Sequence, residues 1–111
     1  MEIEIARYGE VTVVAPKGDL DMAAADSVKR TLADLIDGGQ AKLVMDLGAV
    51  SYIDSSGLGA LVAAMKHARA AGGDVRLCGL QEDVRAIFDM TRLSKAMAVH
   101  ASRQEALASW A

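Results

Sequence analysis

A chain of 111 residues is long enough for one buried core and too short for two, and its single cysteine excludes an internal disulfide. Aromatic residues make up 4% against 52% hydrophobic residues overall, so Ala, Val, Leu, Ile and Met must fill the interior, a composition suited to helices packed on a sheet. A formal net charge of −3, with Lys and Arg scattered along the chain, gives no footprint for direct nucleic-acid binding and favours a basic partner surface.

The amino-terminal MEIEIARYGE alternates acidic and apolar residues, unlike a secretory leader, and the longest uncharged run, Ser55 to Met65, is too short to cross a bilayer. A cytoplasmic chain without membrane insertion is expected. Ile3 and Ile5, then Val11, Val13 and Val14, alternate with polar residues around Tyr8-Gly9-Glu10, which predicts a β-hairpin. Pro16 and Gly18 are expected to end it, and Gly18-Asp-Leu-Asp21 follows as a polar loop.

From Met22 to Asp37, Ala25, Val28, Leu32, Leu35 and Ile36 recur at helical spacing, with Asp21 placed as N-cap and Gly38-Gly39 as the stop. Leu43 to Leu47, LVMDL, reads as a central strand covered on both faces. A second helix is predicted from about Ser56 to Ala71, with Leu58, Leu61, Val62 and Met65 on one face, closed by Gly72-Gly73. Val75, Leu77 and Cys78 predict another strand with a buried thiol, Glu82 to Met90 a short helix, and Met97 to Val99 a last strand. Ser102-Arg-Gln-Glu105 matches a capping box that opens a terminal helix through Leu107 and Trp110. Helices alternating with short apolar strands after a hairpin predict an α/β fold: one domain over residues 1–111, with a mixed sheet of four or five strands and about four helices. No linker, repeat or low-complexity tract interrupts it.

The stretch Tyr52-Ile-Asp-Ser-Ser-Gly-Leu-Gly-Ala-Leu61 carries the strongest chemical signal. At a strand-to-helix junction the first backbone N–H groups of the helix lack internal partners and attract negative charge. Glycines at 57 and 59 remove Cβ atoms that would shield those amides, so a phosphate would fit, either on a ligand or attached to Ser55 or Ser56. The competing reading is structural: Asp54 or a serine caps the helix and the glycines permit close packing.

A serine nucleophile is disfavoured because the stretch is not G-x-S-x-G and neither His67 nor His100 is suited to act as its base. Gly57-Leu58-Gly59 lacks the lysine of a mononucleotide loop. Asp46 lies near a strand end, as in receivers phosphorylated on aspartate, but no acidic pair follows the first strand. His67, His100 and Cys78 show no ligand spacing, so neither metal nor cofactor is expected, and His67 reads as a solvated helix-face residue.

Leu43 to Val62, LVMDLGAVSYIDSSGLGALV, resembles the signature of the STAS domain, and more narrowly of bacterial anti-sigma factor antagonists. Gly18 to Asp21 looks like the family's second loop and EALASW like its last helix, so the resemblance spans essentially the whole chain. It implies a non-enzymatic protein that binds an anti-sigma factor serine kinase and thereby frees a sigma factor. Phosphorylation of the serine just before the Gly-Leu-Gly, here Ser56, is implied to abolish binding, and a serine phosphatase to restore it. The implied binding surface comprises Asp21, Asp54, Ser55, Ser56, Gly57, Leu58 and Gly59, exposed at one end of the sheet. A stand-alone STAS subunit docked on a membrane lipid-transport ATPase is the alternative. A role in the large stress-signalling assemblies is not expected, because the extra amino-terminal domain of those proteins is missing. The residues leave the oligomeric state open.

Overall fold

The computed structural model describes residues 1–110. Five strands form one mixed sheet in chain order: β1 (Glu2–Tyr8), β2 (Val11–Lys17), β3 (Lys42–Asp46), β4 (Asp74–Cys78) and β5 (Val99–His100). β1 and β2 pair antiparallel across a turn that Gly9 enters at φ +64, a conformation available to glycine without steric cost. The remaining neighbours pair in parallel, so each needs a crossover: α1 (Met22–Asp37), α2 (Ser55–Ala70), then α3 (Glu82–Met90) with α4 (Leu93–Ala96). A fifth helix, α5 (Arg103–Ala108), follows β5.

Alternation along the strands divides the interior into two layers. Leu43, Met45, Val75 and Leu77 face the main core with Val28, Leu32 and Ile36 of α1, Leu61 and Met65 of α2, and Phe88 of α3. Val13, Val44 and Cys78 point the other way, onto Ala106 of α5 and the half-buried Leu107 and Trp110. The middle of β3, Leu43 to Met45, is an unbroken apolar run because both its faces are covered.

The expected hairpin and α1 are present, with α1 over Met22–Asp37 as the periodicity indicated. Several boundaries differ. Pro16 lies inside β2, tolerated because the β2–β3 ladder covers only Thr12 to Val14 and makes no demand at that residue. α2 begins at Ser55 and ends at Ala70. The last strand is Val99–His100, since Met97 instead closes α4 through its N–H to Leu93 O and buries its side chain in the main core. The helices number five among the described residues, because α4 is a four-residue turn entered through Arg92 at φ +62, too short to leave a periodic pattern. α5 stops at Ala108, and Trp110 lies beyond it, stacked 3.7 Å from the Arg76 guanidinium. Its capping box is half formed: Ser102 Oγ accepts from the Glu105 N–H at 3.1 Å, whereas Glu105 Oε2 reaches the N–H of Ala101 at 3.3 Å.

Candidate functional site

Two loops, after β2 and after β3, carry the site to one end of the sheet. They run side by side as a short parallel extension: Leu20 N–H donates to Tyr52 O at 2.9 Å, Asp54 N–H donates to Leu20 O at 3.3 Å, and Leu20 bridges Ile53. Gly18, at φ +108, turns the first loop and donates to Ala49 O. Leu20 and Ile53 bury their side chains in the main core and anchor the loops from beneath. Gln81 Nε2 donates to Gly48 O at 3.0 Å and braces the second loop from the side.

This pairing starts α1 and α2 next to each other, each under an aspartate. Asp21 Oδ1 accepts from the Ala24 N–H at 3.1 Å, and Asp54 Oδ1 accepts from the Gly57 N–H at 3.0 Å. Asp54 Oδ2 also accepts from the Met22 N–H at 3.0 Å, so one carboxylate holds the first turns of both helices. The capping work therefore falls to Asp54, not to either serine. Ser55 occupies the first helical position and is exposed; Ser56 occupies the second and is half-buried. Among the described residues neither hydroxyl makes a hydrogen bond.

The glycines divide in role. A Cβ on Gly57 would collide with the backbone oxygen of Leu20, and would lie 2.8 Å from Leu20 Cδ2 and 2.9 Å from Ile53 Cγ1. Gly57 is thus a packing residue, and its amide is already taken by Asp54, which corrects the expectation that it opens the helix start to an anion. Gly59 has open space where its Cβ would be and is exposed. It lines a cavity of about 330 Å³ between α1 and α2 together with Met22, Asp26, Lys29, Ser56 and Ala60. Leu58 is half-buried and packs against the main core. Asp21, Asp54, Ser55, Ser56 and Gly59 are thus gathered at one end of the molecule, with Gly57 below them.

Two flanking residues were not singled out in the sequence. Met22 is 74% exposed and Tyr52 is 52% exposed, which leaves two large apolar groups beside an acidic rim. The available signals were a methionine immediately after the N-cap Asp21 and a tyrosine next to the buried Ile53. Both histidines lie away from Ser56. His67 is eleven residues along α2, roughly 16 Å at 1.5 Å per residue, with Nε2 2.7 Å from Asp37 Oδ1, and His100 sits on β5.

The family model for the STAS domain matches residues 2–106. The chain belongs to the STAS domain family. It is similar to the anti-sigma-B factor antagonist of Bacillus subtilis, 33% identical over 87 residues that cover 78% of this chain and 79% of the relative. It is also similar to the anti-sigma F factor antagonist of Paenibacillus polymyxa, 29% identical over 108 residues, covering 96% and 92%. The fold is shared with the Bacillus cell fate determinant SpoIIAA in its phosphorylated form, at a TM-score of 0.77 and 22% identity over 99% of this chain and 100% of that one. These two relatives of the STAS domain are anti-sigma factor antagonists.

Asp46, set aside above as a phosphorylation site, has a structural use in this STAS domain. Its Oδ1 accepts from the Gly48 N–H at 3.0 Å, shaping the turn after β3, and its Oδ2 accepts from Arg103 Nε at 3.0 Å. Arg103 Nη1 continues to Tyr8 Oη at 3.3 Å, a strut from β1 through α5 to β3. The hydrogen bond to Tyr8 does most to raise the Arg103 pKa; burial opposes it, and the hydrogen bond to Asp46 and its charge add to the rise. On the same side, burial first and the Asp46 charge second push the Cys78 thiol up to about 12. Among the described residues no group of three or more His, Cys, Asp or Glu is placed to hold a metal ion, and no helix is long and apolar enough to cross a membrane.

Proposed function

We propose that this STAS domain is an anti-sigma factor antagonist that binds an anti-sigma factor serine kinase in the cytoplasm, frees a sigma factor, and is switched off by phosphorylation of Ser56. The observation that carries this reading is the state of Ser56: a half-buried residue whose hydroxyl has no hydrogen-bond partner among the described residues, beside a cavity at two paired helix starts, while Asp54 does the capping. A serine kept for a cap would be bonded to the first turn. This one is left free to meet a kinase.

In the transfer step the Ser56 oxygen forms a bond to the γ-phosphorus of ATP, ADP leaves, and the hydroxyl proton passes to a base of the kinase. The product carries an added charge of about −1.5 to −2. Asp54 already takes the Gly57 and Met22 amides and brings its own negative charge, as do Asp21 and Asp26 nearby, so the attraction of the helix start for the phosphoryl group is partly offset. Pressed against a partner without a matching cation, such a dianion costs several kcal/mol, and each 1.4 kcal/mol is about tenfold in affinity. The switch then needs no large rearrangement. Met22 and Tyr52 supply apolar contact around the serine, and the acidic rim selects a basic partner surface. A serine phosphatase resets the protein, whose own part in this cycle is binding rather than catalysis.

The test is incubation of wild type, Ser55→Ala and Ser56→Ala with the cognate kinase and ATP, followed by intact mass and a binding titration. One phosphate on wild type and Ser55→Ala, none on Ser56→Ala, and weaker binding by the phosphorylated protein are expected. A phosphate on Ser56→Ala, or equal affinity of both forms, overturns the reading and moves the lipid-transport role ahead.

A further inference from the structure

The cavity that Ser56 opens onto holds one cation. Lys29, on the exposed face of α1, lines it together with Met22, Asp26, Gly59 and Ala60. Among the described residues its ammonium makes neither an ion pair nor a hydrogen bond. The local reasons are visible. Asp26, one turn earlier, forms no pair with it, and residue 33, one turn later, is an alanine. Asp37 is engaged by His67 at 2.7 Å. Lys29 also lines a second cavity of about 310 Å³ along the α1–α2 seam, floored by Ala63 and Ala64. Lys29 thus borders both cavities of the seam, and with Asp37 held by His67 its ammonium is free to swing toward the Ser56 end.

We propose that Lys29 is the built-in counter-ion of the phosphoryl group on Ser56, an inference that rests on the phosphorylation reading above. The unmodified protein presents a free hydroxyl and a free ammonium across one cavity. Once Ser56 is phosphorylated, the phosphoryl oxygens and Lys29 pair across it, and the group lies along the seam between the helices. This pairing offsets part of the repulsion from Asp21 and Asp54 at the helix starts and Asp26 on α1. It also fills the cavity that a partner side chain would otherwise enter, so the cation that stabilises the phosphorylated form helps to close the docking surface.

The measurement is the second ionisation of phosphoserine, near pH 6 in free form, followed by phosphorus-31 NMR. Phosphoserine is installed at residue 56 during translation, without a kinase, in the full chain carrying Lys29→Gln, in Lys66→Gln, and in the otherwise unchanged sequence. Asp21, Asp26 and Asp54 push that midpoint up in all three proteins, and Lys29 pushes it down wherever it is present. Loss of Lys29 is therefore expected to raise the midpoint by roughly 0.5 unit or more, the screened effect of one charge about 4 Å away. Lys66, on α2 and ten residues from Ser56, lies beyond roughly one Debye length and should leave it in place. Equal midpoints in all three proteins, or equal shifts in both variants, overturn the proposal. Failure of a cognate kinase to modify Ser56 would instead strike the phosphorylation reading, and the titration would stand apart from it.

Discussion

Ser56 and Gly57 are neighbours with opposite demands, and substitutions separate them. The Ser56 hydroxyl has no partner among the described residues, so Ser56→Ala should leave stability unchanged and keep partner binding to within about 0.5 to 1.5 kcal/mol, the worth of one hydrogen bond at most. The variant should be permanently active in a sigma-release assay. Ser56→Asp should weaken binding less than phosphorylation does, because it brings one charge where phosphate brings about −1.5 to −2. At Gly57 the demand is space. Gly57→Ala drives a methyl into the Leu20 carbonyl and should cost about 1 to 3 kcal/mol in urea unfolding. Gly59→Ala meets nothing and removes helix-interior flexibility, so it should stabilise by about 0.5 to 1 kcal/mol. Equal effects of the two alanines would contradict this division of labour.

At the scale of elements, the decisive feature is that α1 and α2 start together under one carboxylate. Asp54→Ala removes a bond to Gly57 and another to Met22, and should cost about 1 to 2 kcal/mol, near the upper end for a cap. Asp54→Asn keeps an acceptor for one helix and should lose less. Hydrogen exchange should show faster opening of the first turns of both helices in Asp54→Ala, whereas a change confined to α2 would argue against a shared cap. The strut Tyr8–Arg103–Asp46 does for α5 what Asp54 does for α1 and α2. Arg103→Ala should loosen α5 and the turn at Gly48 while leaving the ladder of β1 and β2 protected.

For the molecule as a whole, Cys78 reports on the layer between the sheet and α5. Its thiol is shifted from 9.0 to about 12, chiefly by burial. A folded pKa above the unfolded one means that this contribution to stability is complete below pH 9.0 and is lost as pH rises toward about 12. Unfolding free energy should therefore fall across that window in wild type and fall less in Cys78→Ala. Native protein should also resist alkylation at about pH 8.5, where a free thiol is half ionised, and react once unfolded. Rapid labelling of the native state would show that α5 does not seal this face.

The α1 helix, its aspartate cap, the hairpin and the alternation of strands with crossovers were legible from the residues alone, because periodicity and capping are local and α1 carries both without conflict. The D-S-S-G-L-G run was legible as a candidate site for the same reason, and as a STAS signature. The division of labour inside it was not. That Gly57 packs while Gly59 stays open depends on Leu20, thirty-seven residues earlier, whose carbonyl reaches α2 only after the two loops pair. α4 and the shift of the last strand were hidden because four helical residues and a two-residue strand are shorter than any period they could display. Asp46 lies inside the signature and reads locally as a candidate phosphorylation site, yet its partner Arg103 is fifty-seven residues away and meets it only through the packing of α5 on the sheet. Local pattern specified which elements form; long-range contact, set by loop pairing and burial, decided what each residue at their ends is free to do.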